Sequence, residues 1–334
     1  MKILRIILFP IVPIYYSVTW LRNRMYDSGF KSSKSYDLPV ICVGNLSTGG
    51  TGKTPMIEYL IRLLQPTKHV ATLSRGYKRV SSGYILADAK ASADKIGDEP
   101  FQFYKKFKDD IVVAVDEDRQ HGIDELLALQ PTPEVILLDD AFQHRKVNSG
   151  LNIVLTAYNN LFYKDIVLPT GNLREPKQGV ERAHIIVVTK CPKDLSDSEK
   201  EDIKKRIQPN PNQTVFFSTI DYSNSVQSWG SEMSLQELPH FTLVTGIANA
   251  KPLVDFLHSK TLNFEHLEYG DHYSFRPKDI ELLEKKSFIV TTEKDYVRLS
   301  EVESLREKLY YLPITLEIDD DSNAFNTMVT TFVN

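Results

Sequence analysis

A glycine-rich segment between two apolar runs constrains the fold of this chain more than any other feature. The segment reads VGNLSTGGTGKTP and extends from Val43 to Pro55. It follows Val40–Val43, a run typical of a buried strand, and leads into Pro55–Leu64, a run typical of a helix. Backbone N–H groups of such a loop, together with the N-terminus of the helix, point at phosphate oxygens. The order strand, loop, helix therefore predicts a nucleotide phosphate site in an α/β domain.

The ending Gly-Lys-Thr predicts individual roles within this loop. Lys53 would reach the β- and γ-phosphates, and the hydroxyl of Thr54 would bind Mg²⁺. Ser47 departs from the usual pattern G-x-x-x-x-G-K-[ST], which has glycine at that position. The remaining glycines still allow a tight turn that is rich in N–H donors. The loop residues predicted to bind the nucleotide are Gly49, Gly50, Thr51, Gly52, Lys53 and Thr54.

Short apolar runs alternate with helix-like segments or long connections between residues 40 and 189. Such runs are typical of strands that are buried on both faces of a parallel sheet. The predicted fold class is α/β: a doubly wound, mostly parallel sheet like that of P-loop NTPases, followed by a second, smaller α/β domain. The strand-like runs of the first domain are Val40–Val43, Val70–Leu73, Ile111–Val115, Val135–Leu138, Ile153–Thr156 and Ile185–Thr189.

The composition argues against two classes of protein. A formal net charge of −4 over 334 residues is not that of a general nucleic-acid binder, which usually carries a strong basic excess. The two cysteines, Cys42 and Cys191, lie in or beside apolar runs. We therefore expect buried free thiols rather than a disulfide framework, a zinc site or a secreted protein.

The N-terminal segment differs from the rest of the chain in its charge pattern. Residues Ile6–Leu21 carry no charge, and basic residues flank them on both sides. As a helix, these 16 residues would extend about 24 Å, short of the ~30 Å hydrocarbon core of a bilayer. Pro10 and Pro13 also disfavour a straight spanning helix. From Pro13 onward, one helical face carries Ile14, Val18, Leu21 and Met25.

An apolar face bordered by arginines is typical of a helix that lies in the membrane interface. Here the arginines are Arg22 and Arg24, which lie off the apolar face. A helix packed on the protein's own core is the alternative interpretation of the same pattern. We predict the membrane-interface helix.

These patterns divide the chain into five parts. The second strand–helix pattern begins at Phe241–Gly246 and continues through Phe288–Thr292 to Tyr310–Ile318, after a polar, turn-rich stretch at 222–239. The predicted parts are an apolar membrane-interface segment (1–28), the P-loop domain (29–213), a linker region (214–239), the smaller α/β domain (240–318), and a C-terminal segment expected to return to the first domain as a helix (319–334).

Two adjacent carboxylates end one of the predicted strands. The stretch PEVILLDDAFQHR places Asp139 and Asp140 at the C-terminal end of a buried run. Ligands bind at this edge of a parallel sheet, and a carboxylate there matches a Walker B acid, which holds Mg²⁺ directly or through water. A solvated turn is the alternative, but a surface turn has no need of the polar cluster QHR that follows. We therefore predict that both aspartates contribute to a magnesium site.

Two further segments place charged residues near a predicted helix start and in a loop. In KIGDEP, Asp98 and Glu99 stand near a helix start, where helix capping is the simpler interpretation for one of them. In PTGNLREP, Arg174 can hold a phosphate with two hydrogen bonds, and Glu175 can assist the metal. A surface ion pair between Arg174 and Glu175 explains the second segment equally well.

The second domain also carries candidate functional residues. EYGDHYSF places His272 beside Asp271, although a single loop histidine is usually not catalytic. VTTEKDYVRL places Glu293, Lys294 and Asp295 just past a strand, where ligand-binding loops occur. The sequence assigns no role to these last three residues.

Seven motifs follow one another along the chain. They are GNLSTGGTGKTP, TLSRGYKR, IGDEP, LLDDAFQHR, PTGNLREP, GDHYSF and TTEKDYVRL. This ordered set resembles the tetraacyldisaccharide 4'-kinase family, the lipid A 4'-kinases of Gram-negative bacteria, from the apolar N-terminus to about residue 299. Members of that family also have an apolar N-terminus, a P-loop of unusual spacing and two α/β domains that face a cleft. The resemblance implies that Ser47 is a family trait.

The resemblance implies phosphoryl transfer from ATP, with Mg²⁺, to the 4'-hydroxyl of a tetraacyl glucosamine disaccharide 1-phosphate. Asp98 would be the catalytic base and His272 its partner, one from each domain, so that domain closure would assemble the pair. The implied metal environment is Thr54, Asp139, Asp140 and Glu175, and the implied contacts to the ATP phosphates include Lys53 and Arg174. Candidate substrate contacts are Tyr77, Glu99, Gln143 and His144.

The implied partners are a lipid A disaccharide 1-phosphate precursor and the surface of the inner membrane. The protein is expected on the cytoplasmic face, as a peripheral or monotopic protein, without nucleic acid or an obligate protein partner. One alternative is a soluble P-loop NTPase that acts in metal delivery or partner assembly. Another is a nucleotide-binding, membrane-associated scaffold without transfer chemistry. Pro192 occupies the aspartate position of a TKxD guanine-binding motif, which favours ATP over GTP.

Overall fold

Two β-sheets, of nine and six strands, organise the part of the chain that the structure describes. The structure is a computed structural model, and it describes residue 5 and residues 7–271, 273–319 and 321–334. The strands are β1 (Val40–Asn45), β2 (Val70–Ser74), β3 (Ile85–Leu86), β4 (Val112–Val115), β5 (Val135–Asp139), β6 (Leu151–Ala157), β7 (Ile185–Thr189), β8 (Thr214–Tyr222), β9 (Ser225–Gln227), β10 (Glu232–Ser234), β11 (Phe241–Thr245), β12 (Phe264–Glu268), β13 (Ile289–Thr292), β14 (Leu309–Leu312) and β15 (Ile314–Ile318).

Ten α-helices connect or cover these strands in the described ranges. They are α1 (Val12–Asp27), α2 (Lys53–Leu64), α3 (Ala93–Ile96), α4 (Asp98–Phe107), α5 (Arg119–Leu127), α6 (Asp197–Ile207), α7 (Lys251–Ser259), α8 (Pro277–Glu284), α9 (Glu293–Leu299) and α10 (Ser322–Val333).

The first sheet has the strand order β15-β8-β7-β6-β1-β5-β2-β4-β3 and is parallel except at its two edges. Successive residues of β1 point to opposite faces of the sheet, and both faces are covered. Ile41 lies in a buried cluster with residues of α2, α4 and α10, whereas Cys42 lies in a cluster with residues of α5 and α6. This arrangement confirms the predicted doubly wound α/β fold, and both cysteines are buried free thiols as predicted.

Strand β1 lies in the middle of this sheet, between β5 and β6. Its register with β5 places Val43 opposite Asp139, and the backbone N–H of Asp140 donates to the carbonyl of Val43 at 3.0 Å. The glycine-rich loop and the paired carboxylates therefore leave the sheet side by side, at its carboxyl edge.

The second sheet has the order β10-β9-β14-β13-β11-β12, with β11 to β14 parallel and the other pairs antiparallel. Two details differ from the sequence-based expectation. The turn-rich stretch 222–239 of the region expected as a linker contains β9 and β10 of the second sheet. The run expected as one strand is broken at Pro313 into β14 of the second sheet and β15, which pairs with β8. Proline has no N–H for a ladder, so it suits the point where the chain changes sheets.

Helix α1 exposes the apolar face that was predicted from the sequence. Ile14, Val18 and Leu21 are 65%, 62% and 55% exposed, so they do not pack on the protein's core. A neighbouring side of α1 is held by hydrogen bonds, such as Tyr15 Oη to the carbonyl of Arg174 at 2.8 Å. None of the helices in the described ranges is both long enough and apolar enough to cross a bilayer.

Candidate functional site

The glycine-rich loop between β1 and α2 has the backbone shape of a phosphate cradle. Gly49 and Gly52 have φ angles of 109° and 87°, which side-chain-bearing residues rarely adopt. Neighbouring side chains hold the loop: Asn45 Nδ2 donates to Thr51 Oγ1 at 2.7 Å, and Thr189 Oγ1 donates to the carbonyl of Thr51 at 2.8 Å. The loop is therefore ordered at the N-terminus of α2, where N–H groups are available for an anion.

A second loop explains why Ser47 stands where the usual pattern has glycine. Ser47 forms an antiparallel bridge with Leu173, and it is only 3% exposed. The N–H of Thr48 donates to the carbonyl of Asn172, and the N–H of Arg174 donates to that of Leu46, both at 2.7 Å. The PTGNLREP segment thus pairs with the first half of the phosphate loop. This pairing carries the Arg174 side chain to the carboxylates at the end of β5.

Asp140 is the meeting point of the charged groups at this edge of the sheet. Arg174 donates to its two carboxylate oxygens at 2.9 and 3.1 Å, and Lys53 Nζ lies 3.7 Å from Oδ1. Burial raises the pKa of Asp140, but Lys53 and Arg174 outweigh that effect and hold it below its ordinary value. Asp140 also has a φ of 51°, a strained backbone conformation that aspartate tolerates and that is found at functional sites. Asp140 is thus an ionised carboxylate beside the phosphate loop.

Asp139 has the opposite electrostatic character. Burial raises its pKa to about 7, although the charge of Lys53 opposes the shift, and the charges of Asp140 and Glu99 add to it. Its Oδ1 atom is buried and has no hydrogen-bond partner among the described residues. A buried carboxylate oxygen without a partner is costly unless a cation or donor binds it. The site therefore fits a hard divalent cation such as Mg²⁺.

Protein ligands alone would not complete such a cation site. Within the described ranges, His, Cys, Asp and Glu side chains form no group of three or more suited to a metal ion. Mg²⁺ is commonly held by one or two carboxylates together with phosphate oxygens and water. The arrangement of Asp139 and Asp140 therefore suits a cation that arrives with a nucleotide. Thr54 lies in the first turn of α2, directly after the phosphate loop.

Glu175 has contacts that favour a positioning role. Its buried carboxylate accepts hydrogen bonds from Arg182 and from Gln143 Nε2 at 2.9 Å, and from Asn23 Nδ2 of α1 at 2.5 Å. Gln143 Nε2 also donates to the carbonyl of Asn45 at 2.9 Å. Glu175 therefore links helix α1 to the end of β1 through Gln143. Its predicted contribution to the metal environment stays a prediction.

His144 lies next to Gln143 and is neutral near pH 7. Burial, reinforced by the positive charge of Arg119, lowers its pKa to about 4. Its Nε2 atom is buried and lies 3.7 Å from Asp118, too far for a hydrogen bond. His144 is therefore suited to hydrogen bonding in its neutral form and not to binding an anion by charge.

The GDEP segment lies across from the SRGY segment because two glycines allow close approach. A side chain at Gly97 would lie 3.1 Å from Gly76, and one at Gly76 would lie 2.9 Å from the carbonyl of Ile96. This contact places Tyr77, which is 62% exposed, near the start of α4. Asp98 is the first residue of α4, and Gly97 rather than Asp98 occupies the N-cap position.

Asp98 forms an ion pair with the second domain. Arg298 of α9 donates from Nε to Asp98 Oδ1 at 2.8 Å and from an NH2 group to Oδ2 at 2.6 Å. His272, the predicted partner of Asp98, lies outside the described residues. Its neighbours are described: Asp271 pairs with Lys294 at 3.3 Å, and the carbonyl of Tyr273 accepts from Arg298 at 3.2 Å.

Three basic residues at the site were missed by sequence reasoning. Arg119, 3% exposed, lies close enough to Asp139 and Asp140 for its positive charge to favour the ionised form of both carboxylates. Lys190 Nζ donates to the carbonyl of Gly50 at 2.6 Å, and burial together with the charge of Lys294 lowers its pKa. Lys190 directly follows a parallel strand, a signal that could have been used. Arg298 lies near the end of α9, away from the strand end, so its position along the chain did not indicate a contact with the site.

The parallel sheet, its phosphate loop and the paired carboxylates at its edge define a P-loop nucleotide-binding protein. The profile of the family described as tetraacyldisaccharide-1-P 4'-kinase matches residues 4–334. The chain belongs to the tetraacyldisaccharide 4'-kinase family and is a kinase of lipid A biosynthesis. The resemblance predicted from the seven motifs is confirmed.

Curated relatives and a solved structure agree with this assignment. The chain is 47% identical to the tetraacyldisaccharide 4'-kinase of Flavobacterium johnsoniae, over 100% of this chain and 98% of the relative. It is 44% identical to that of Bacteroides thetaiotaomicron, over 98% and 92%. A crystal structure of "apo" form LpxK from Aquifex aeolicus in complex with ATP superposes with a TM-score of 0.78 at 30% identity, over 99% of this chain and 100% of that chain.

Proposed function

We propose that this kinase transfers the γ-phosphoryl group of ATP to the 4'-hydroxyl of a tetraacyl glucosamine disaccharide 1-phosphate, with Mg²⁺ as cofactor. The observation that carries the proposal is the group formed by Lys53, Asp139 and Asp140, beside an ordered phosphate loop. Family membership over the whole length supports the lipid acceptor rather than a soluble NTPase or a scaffold.

The donor half of the reaction follows from the charges around the loop. The N–H groups at the start of α2 and the side chain of Lys53 bind the β- and γ-phosphates. Arg174 is held against Asp140 by two hydrogen bonds, which keeps its guanidinium at the phosphate edge. Asp139 and Asp140, with Thr54, would hold Mg²⁺. When bound, that ion neutralises the charge that develops on the phosphate oxygens during transfer.

The acceptor half depends on Asp98. A sugar hydroxyl is a weak nucleophile, but phosphoryl transfer has a loose transition state, in which positioning matters more than the strength of the base. Asp98 at the start of α4 accepts the proton of the 4'-hydroxyl as the bond to phosphorus forms. His272 is proposed as its partner, and Tyr77 and Glu99 flank this side of the site as candidate substrate contacts.

We propose that α1 brings this site to the cytoplasmic surface of the inner membrane. Its exposed apolar face supports the interfacial orientation, with the protein bound as a peripheral or monotopic protein. Other sides of α1 contact the active-site loops directly: Arg22 donates to the carbonyl of Gln143, and Asn23 donates to Glu175. The helix that would meet the lipid is thus connected to the loops that surround the phosphate site.

A direct assay tests the proposed reaction. The purified protein is mixed with γ-labelled ATP, Mg²⁺ and tetraacyldisaccharide 1-phosphate in detergent micelles, and label in the lipid is measured over time. We expect transfer to the lipid, and none to a disaccharide whose 4'-hydroxyl is blocked. ATP hydrolysis without any labelled lipid would contradict the proposal and favour the soluble NTPase.

A further inference from the structure

Helix α9, which contains the motif TTEKDYVRL, joins the two sheets at the acceptor side of the site. It begins directly after β13 of the second sheet. Its first residue, Glu293, pairs with Lys106 of α4 at 2.5 Å, and its Val297 lies in a small apolar cluster with Ile96 and Phe101 of the first domain. The sequence assigned no role to this motif. The contacts show that α9 packs against the helix that carries Asp98.

The second sheet holds α9 rigidly. The carboxylate of Asp295 accepts from the backbone N–H of Gly246 at 2.8 Å and from Thr292 Oγ1 at 2.7 Å. A side chain at Gly246 would lie 2.7 Å from this carboxylate, so the close approach requires glycine. Two strand ends, those of β11 and β13, therefore fix the start of α9 through one buried aspartate. The backbone position of Arg298, three residues after Asp295 in α9, is therefore fixed relative to the second sheet.

Arg298 projects from this fixed helix onto Asp98. Its Nε and NH2 groups take one carboxylate oxygen each, at 2.8 and 2.6 Å, a side-on pair that sets the plane of the carboxylate. Its other terminal nitrogen donates to the carbonyl of Tyr273 at 3.2 Å. One guanidinium group therefore holds both Asp98 and the backbone next to His272.

We propose that Arg298 is the positioning residue for Asp98: it orients the carboxylate toward the acceptor hydroxyl and sets the spacing between Asp98 and the backbone of Tyr273. This inference rests on the proposed function, in which Asp98 is the base. Arg298 acts through Asp98 and does not itself contact the reacting atoms. Each carboxylate oxygen keeps a lone pair that the arginine does not use, so the oriented group can still accept a proton.

The charges around Asp98 explain why a cation is required there. Glu99 follows it in α4, and Glu301 lies just beyond α9, close enough for the charge of Asp98 to raise its pKa after the larger effect of burial. Asp295 adds a further carboxylate on α9. Without Arg298, Asp98 would be one of several neighbouring acids with no fixed partner among the described residues. Its carboxylate would then rotate away from the hydroxyl, at a cost in rate that grows steeply with misplacement.

Steady-state kinetics of Arg298→Ala and Arg298→Lys in the micelle assay test the inference. For Arg298→Ala we expect kcat to fall about 100-fold, with ATP affinity and lipid KM within about twofold of the wild type. Arg298→Lys restores the charge but not the planar fork, so its kcat should recover to about a tenth of the wild-type value. Arg306→Ala is the matched control, because Arg306 donates to the backbone oxygen of Ser300. It should keep the wild-type kcat.

Two results would overturn the positioning role. One is an Arg298→Ala enzyme with wild-type kcat. The other is loss of kcat that is matched by loss of ATP binding and of thermal stability, which would indicate a structural role. If Arg298→Ala does not fold, the test depends on Arg298→Lys. A wild-type kcat for Arg298→Lys would contradict positioning of Asp98 by the planar guanidinium group. Asp98→Ala is run in parallel. If it is fully active, the proposed base is wrong, whereas an inactive Asp98→Ala beside an active Arg298→Ala refutes only the role of Arg298.

Discussion

The phosphate side and the Asp98 side of the site are assembled in different ways. The phosphate side comes from adjacent strands of one sheet, where the register of β1 with β5 sets Val43 opposite Asp139. The Asp98 side joins two residues that are 200 positions apart and belong to different domains. The first side is complete within one domain. The second exists only where α9 packs on α4, so it is the more sensitive to the relative position of the two sheets.

The two sides also differ in charge. Two lysines of the first domain converge on the phosphate loop: Lys53 lies 3.7 Å from Asp140, and Lys190 Nζ donates to the carbonyl of Gly50 at 2.6 Å. The Asp98 side has several carboxylates, and its Arg298 binds one of them, Asp98. A cluster of cations suits a polyphosphate, and an oriented carboxylate suits a hydroxyl that must lose a proton. The difference in charge supports the assignment of donor and acceptor sides.

The largest expected effect concerns the phosphate side. Lys53→Met removes the cation that is proposed to face the transferring phosphoryl group, so we expect kcat/KM to fall about 1000-fold in the micelle assay. ATP affinity, measured by calorimetry, should fall as well. Lys286→Met, at an ion pair with Glu265 in the second domain, is the control. A Lys53→Met enzyme that keeps its rate would show that the loop does not hold the phosphates.

The second-largest effect concerns the Asp98 side and tests whether this side acts independently of the phosphate side. Asp98→Asn removes the proposed proton acceptor but keeps the shape of the side chain, so we expect kcat to fall about 100-fold. ATP affinity should stay within about twofold of the wild type, because the phosphate loop is intact. Calorimetric titration with ATP and initial rates at saturating lipid separate the two effects. If Asp98→Asn loses ATP binding as well, the two sides are not independent.

A smaller effect is expected for the apolar face of α1. Replacing Ile14, Val18 and Leu21 together with serine removes exposed apolar area, so we expect about tenfold weaker binding to vesicles of inner-membrane lipids. ATP affinity should not change. Co-sedimentation with vesicles measures the effect, and Leu282→Ser, an exposed apolar residue of the second domain, is the control. Equal sedimentation of the triple variant and the wild type would exclude α1 as the membrane contact.

The smallest effect concerns the interface between the domains. Burial and the nearby charge of Glu58 raise the pKa of Glu293 to about 7, although Lys106 opposes the shift. Between the unfolded value of 4.5 and about 7, the folded protein holds a proton that the unfolded chain has released, so stability falls as pH rises through this window. The slope is at most about 1.4 kcal/mol per pH unit.

Glu293→Gln should remove this part of the pH dependence. We expect the melting temperature of the wild type to fall more than that of Glu293→Gln between pH 5 and pH 7, in scans of both proteins. Glu265→Gln, at a surface ion pair, should behave like the wild type. Parallel curves for wild type and Glu293→Gln would show that this carboxylate is already ionised in the folded protein.

Much of the phosphate side could be predicted from the sequence, since its signals are local. Apolar runs and glycine spacing located β1, the loop and α2 to within two residues, because burial of a parallel strand and the geometry of a helix start act on neighbouring positions. The same reasoning missed the short strands β9 and β10 in the turn-rich stretch and the break at Pro313. Short edge strands and a change of sheet depend on pairing partners that are distant in sequence.

The sequence by itself determined the class of the protein: a strand, a glycine-rich loop and a helix, with an acidic pair at a second strand end, leave few alternatives to a nucleotide-binding α/β domain. The ordered motifs further determined the family. Only the tertiary structure decided how individual charges are used. It paired Arg298 with Asp98, gave Glu175 contacts to Asn23, Gln143 and Arg182, and left Asp139 with a buried oxygen. Burial and long-range pairing set the pKa and orientation of a carboxylate, and neither can be read from its neighbours along the chain.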